Sequence, residues 1–118
     1  MTSAFRTILA VAMTVCTSAA FAAASNMPTQ YQPDPALKTA SMGELRSRVS
    51  QSCTVIQARI QNVSESSLSR KCTCYAGRTM RALSPDEVQA YRDTGVFNDT
   101  ARLKALAAID ECRLERPI

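Results

Sequence analysis

The sequence predicts an all-α fold: a small four-helix bundle stapled by two disulfides, preceded by an extended, Pro-containing N-terminal lead segment. Three observations point there. Apolar residues recur at steps of three and four, and no stretch alternates as a strand would. Helix-start and helix-stop residues punctuate the second half of the chain. Four cysteines, Cys53, Cys72, Cys74 and Cys112, follow a segment with the features of an export signal. An even cysteine number in a small exported chain reads as a disulfide framework.

Residues 1–24 read as a cleaved secretory signal. Arg6 supplies the positive start, Ile8 to Val15 the apolar centre, and Ala20-Phe21-Ala22 and Ala22-Ala23-Ala24 two small-residue cleavage sites. The apolar run is too short and too interrupted by Thr14, Thr17 and Ser18 to span a bilayer. Val15 before Cys16 argues against a lipoprotein signal, which wants a small residue there. Cleavage leaves one domain's length of chain. It also leaves 13 basic residues (14 less Arg6) against 10 acidic ones, a net charge of +3. That mild excess favours acidic partners weakly and does not indicate nucleic acid.

Residues 25–40 carry Pro28, Pro33 and Pro35 and read as a flexible lead segment. A single helical domain fills 41–118. Its first helix starts at Ser41, with Glu44 three residues on as a capping partner. Met42, Leu45, Val49, Cys53, Ile56, Ile60 and Val63 form one apolar stripe, and Ser64-Glu65-Ser66-Ser67 closes it. The second helix spans about Ser67 to Ala82, with Leu68, Cys72, Tyr75, Ala76, Thr79 and Leu83 inward. Gly77 marks a weak point or a close packing contact. Ser84-Pro85-Asp86-Glu87 starts the third helix, which turns Val88 and Tyr91 inward and stops at Gly95. Asn98 or Asp99 caps the fourth, about Thr100 to Leu114. Leu103, Leu106 and Ile109 lie on one side of it, and Ala101, Ala105, Ala108 and Cys112 on another. Two apolar sides predict that this helix packs between neighbours.

Helix phase also bears on the cysteines. Cys53 and Cys72 sit on the inner stripes of sequential helices. Cys74 is turned by ~200° from Cys72, among Arg70, Lys71, Arg78 and Arg81, whereas Cys112 lies among Asp110, Glu111 and Glu115. Opposite charge favours Cys53–Cys72 and Cys74–Cys112, although four cysteines admit three connectivities.

The chemistry of known enzyme classes finds little here. The chain has no histidine, so the commonest general base is missing, and its three glycines form no phosphate loop. One C-x-C and two distant cysteines lack the paired knuckles of a zinc site, so no metal or other cofactor is expected. The expected function is a non-enzymatic, periplasmic or secreted interaction protein. It would be an inhibitor- or immunity-type binder of another, acidic protein through the basic helix face of Arg70, Lys71, Arg78 and Arg81. No nucleic acid and no membrane insertion after cleavage are expected. Two alternatives stand beside it. One is a cell-envelope assembly or secretion accessory component forming a homodimer or larger homo-oligomer. The other is a thiol-redox or metal-carrier protein using Cys72 and Cys74, whose neighbouring cations would favour the thiolate.

Overall fold

The computed structural model describes residues 32–117, so the segment 1–24, expected to be an export signal, and residues 25–31 of the expected lead segment lie outside the described residues. The described chain is all-helical, with no strand. A 3₁₀ turn, Pro35–Thr39, leads into α1 (Met42–Gln61). A second 3₁₀ turn, Glu65–Leu68, precedes α2 (Ser69–Ala82), and α3 (Pro85–Thr94) and α4 (Asp99–Glu111) follow.

Local sequence explains each boundary. Ser41 Oγ accepts from the Glu44 amide at 3.2 Å, and Glu44 Oε2 accepts from the Ser41 amide at 2.6 Å. Ser84 and Glu87 repeat this reciprocal capping at α3 over 3.2 and 2.9 Å, with Pro85 where no donor is needed. Asn98 Oδ1 caps α4 by accepting from the Ala101 amide at 3.0 Å. Three helices end in a left-handed residue: Asn62 (φ 52°), Gly95 (φ 73°) and Arg113 (φ 57°). After Asn62, the Val63 amide reaches back to the Ala58 carbonyl; after Arg113, the Leu114 amide reaches Ile109. These backward bonds satisfy carbonyls the helix would otherwise leave open, and in α4 they bury Leu114 beside Ile109.

α2 is the centre of the molecule, packed on α1 by one side and on α4 by the other. This corrects the expectation that α4 lies between neighbours. Leu103 on α4 is 69% exposed, while Ala101, Ala105, Ala108 and Cys112 are buried and, of the Leu103 side, only Ile109 joins them. The small residues let α4 close on α2, and a helix at the edge of a bundle buries only one side. The α1 stripe is likewise narrower than expected. Its buried row is Leu45, Val49, Cys53 and Gln57, and Met42, Ile56, Ile60 and Val63 are exposed. A pure four-residue row turns by ~40° per step, so the inclined contact with α2 leaves the straight stripe behind as it descends.

Residues 35–40 also depart from the flexible reading. Asp34 caps the first 3₁₀ turn through the Ala36 amide and pairs with Arg48. Leu37 is buried to 2% exposure, and the Arg92 guanidinium donates to the Ala40 carbonyl. One apolar side chain and these polar ties fasten the segment, so the folded unit begins near Asp34 and not at Ser41. Gly77 is buried under Arg81 and not against another helix: an added Cβ would meet the Arg81 Nη1 at 3.4 Å.

The core has two halves. Leu37, Leu45, Val49, Ala76, Met80 and Tyr91 form one. The other gathers Leu68, Ile109 and Leu114 around Cys53, Cys72 and Cys112. Tyr75 packs against both.

Candidate functional site

Both disulfides converge on α2. Cys72 joins Cys53 on α1 with the Cα atoms 5.6 Å apart, and Cys74 joins Cys112 at the end of α4 with the Cα atoms 5.9 Å apart. Residues two apart on a helix point to nearly opposite sides, and the two partners occupy those sides. Cys72 is fully buried. Neither Cys72 nor Cys74 is a free thiol, and they do not pair with each other.

The basic residues of α2 are all exposed, but they do not make one uninterrupted face. Cys74 stands in the middle of their arc, so the α4 terminus covers it. Arg78 donates to Glu111 Oε2 on α4 at 2.6 Å. Arg70 and Lys71 remain at the start of α2 and Arg81 near its end, none with an ion pair among the described residues. The structure therefore divides the four cations: one is tied down and three face solvent.

A feature outside the expected site lies on α1. Ile56, Ile60 and Val63 are 50%, 43% and 43% exposed in one row, with Arg59 exposed among them. The row leads to the end of the bundle where the chain turns into α2, so Ile60 and Val63 share that end with Arg70 and Lys71. Val96, at 55% exposure, adds to the uncovered apolar surface from the α3–α4 turn. The apolar character of these residues is legible in the sequence; only the wrap of the α1–α2 contact showed which would be left uncovered.

Beside this row is a groove of about 500 Å³ between α1, the α3–α4 turn and the end of α4. It opens at the seam of the two half-cores, and Tyr75 lines it. Gly95 lets the chain double back so that Phe97 lies 5.0 Å, centroid to centroid, from Tyr91 and walls one side. Gln57 forms part of the wall. Its Nε2 donates to the Glu115 carbonyl at 2.6 Å, and its Oε1 accepts from the Glu115 amide at 3.1 Å. One side chain thus clamps the backbone that leaves α4.

Titratable groups serve structure. Lys104 Nζ donates to Glu87 Oε2 at 2.9 Å. That bond, then the Ser84 amide, holds the Glu87 carboxyl below its ordinary range. Arg116 does the same for Asp110, and burial pushes the Tyr75 phenol up. No group of three or more metal-ligating side chains comes together among the described residues.

Fold and site together define a class: a small all-helical domain whose central helix is held by two disulfides, as suits an oxidising compartment. No helix among the described residues is long and apolar enough to cross a membrane. No protein-family model, curated protein or solved structure matches the chain, so the class rests on its own geometry.

Proposed function

We propose that this protein is a non-enzymatic interaction protein, exported to the periplasm or secreted, that binds and masks another protein as inhibitors and immunity proteins do. The observation that supports it is the exposed row Ile56, Ile60 and Val63 on a helix bolted to its neighbour through Cys53. Arg59, Arg70 and Lys71 rim the same end without ion pairs among the described residues. A small apolar centre with a charged rim is the usual anatomy of a binding patch. The disulfides keep it rigid, so little ordering entropy is lost on association. The partner would present a small apolar patch ringed by carboxylates. Arg78 contributes less than the other α2 cations in this reading, because Glu111 already neutralises it.

The test is photo-crosslinking of the full exported chain in its own cells, from a reactive residue at position 60 or 71, with position 103 as control. One protein adduct from 60 and 71, absent from 103 and lost with Arg70→Glu and Lys71→Glu, is the expected result. No adduct, or an adduct consisting of two copies of this chain, would overturn the masking role; the latter would favour the homo-oligomeric envelope component.

A further inference from the structure

We infer that the groove between α1 and the α3–α4 turn is a binding site for a single-chain amphiphile with an anionic head, of the medium-chain fatty-acid class. This is distinct from the protein-binding role, which shares Ile56 with the groove but otherwise uses Ile60, Val63 and the α2 start. The groove's lining is mostly apolar: Cys53, Ile56, Tyr75, Phe97 and Ile109 line it, with Ser52 and Gln57 as polar neighbours. Its volume, about 500 Å³, falls within the roughly 300–1,000 Å³ of small-molecule sites. Among the described residues, Arg102 is the only lining side chain charged at neutral pH, and no Asp or Glu lines the groove. Arg102 has no ion pair among the described residues.

An apolar trough with one unpaired guanidinium complements a chain of methylenes ending in one negative charge. The acyl chain lies over Ile56, Tyr75 and Ile109, and the carboxylate meets the two-pronged donor of Arg102. A second copy of this protein seated groove to groove fits less well, since that symmetric pairing sets Arg102 against another Arg102 and not an anion. Gln57 is not available to the head group, because both its polar atoms are already engaged with Glu115. The head group is therefore read by charge at Arg102, and the tail by length.

Isothermal titration of the mature, oxidised chain with octanoate, decanoate and decanol, each below its aggregation limit, tests this. One saturable site is expected, with affinity rising about fourfold per added methylene. Arg102→Gln should weaken decanoate by about tenfold or more, while leaving decanol unchanged. Arg102 is exposed, so the variant should keep its fold, which far-UV circular dichroism checks. Val96→Asp, at a second exposed lining position, should weaken decanoate more than decanol. No saturable binding, equal affinity for decanol and decanoate, or indifference to Arg102→Gln would each overturn the assignment. So would binding that appears only after residues 25–31 are removed, since the chain's own lead segment would then be the occupant. A dimer in native mass spectrometry that persists in decanoate would make a second copy the occupant and overturn it as well.

Discussion

At the scale of single residues, Gln57 shows how a polar side chain can hold a core together. It occupies the fourth position of the buried α1 row, where the pattern alone would want a hydrophobe. It is there because its amide matches the two backbone groups of Glu115. Gln57→Ala removes both bonds and leaves a part-buried donor and acceptor, at a cost of about 1–3 kcal/mol. The expected result is a fall in thermal midpoint of roughly 4–8 °C per kcal/mol, with the Glu115 amide exchanging much faster in hydrogen-exchange NMR. An unchanged Glu115 exchange rate would show that the clamp is not what holds the segment after α4. Arg113 and Asn62 are the other residues whose role depends on one backbone angle, since each stands in the left-handed region that a helix end requires.

Among the elements, the two informative glycines should respond oppositely to one methyl group. Gly77 lies inside α2, and its added Cβ would meet only the far end of a flexible Arg81. Gly77→Ala should stabilise by up to about 1 kcal/mol, through helix propensity and a less mobile unfolded chain. Gly95 ends α3 at φ 73°, where a Cβ is strained, and it sets the turn that folds Phe97 back on Tyr91. Gly95→Ala should destabilise by about 1 kcal/mol and loosen the groove wall. Denaturant midpoints of the two variants, measured at equal pH, check the opposite signs. A stabilised Gly95→Ala would mean that the α3–α4 turn is not held as described.

The whole molecule depends on its cross-links, because a core split in two halves is modest. Cys53–Cys72 spans 19 residues and Cys74–Cys112 spans 38. The chain-entropy model gives about 3 and about 4 kcal/mol respectively. Together these are comparable to the whole stability of a domain of this size. Reductant should therefore lower the thermal midpoint sharply, and the Cys74→Ala/Cys112→Ala pair should cost more than Cys53→Ala/Cys72→Ala; a midpoint indifferent to reductant would refute the staple argument. Stability should also plateau between two pH edges. Asp34, Glu44, Glu87 and Asp110 have folded values lowered from ordinary ones of 3.8 or 4.5. Their contribution is complete above the ordinary values and lost as pH falls through the lower folded ones. Tyr75 is raised above 10.0 by burial, with Tyr91 adding to the rise and Thr79 opposing it. Its contribution is complete below 10.0 and lost as pH rises through the folded value. A midpoint flat from about pH 5 to 10 and falling outside it is expected, with phenolate absorbance tracking the alkaline edge.

The sequence by itself determined the helical class, the helix starts at Ser41, Ser84 and Asn98, the stop at Gly95 and the cross-linking logic, whereas α2 begins at Ser69 and not Ser67, and α4 ends at Glu111 and not Leu114. Ser41, Ser84, Pro85, Gly95 and Asn98 act through hydrogen bonds and backbone angles within a few residues, so they can be read without the fold. Helix phase separates Cys72 from Cys74, and charge pointed to the partners that the structure carries. The tertiary structure alone decided what is buried and what is left uncovered. Ile56, Ile60 and Val63 share the periodicity of Leu45 and Val49, yet the inclined α1–α2 contact leaves them in solvent. Leu37 looked like part of a tether, and α4 like a central helix, because burial depends on partners far away in the chain. The basic arc of α2 was legible as composition, but its division by the α4 terminus at Cys74 and Arg78 was not. The groove with Arg102 is a property of three separated segments meeting, and no local pattern encodes a meeting of that kind.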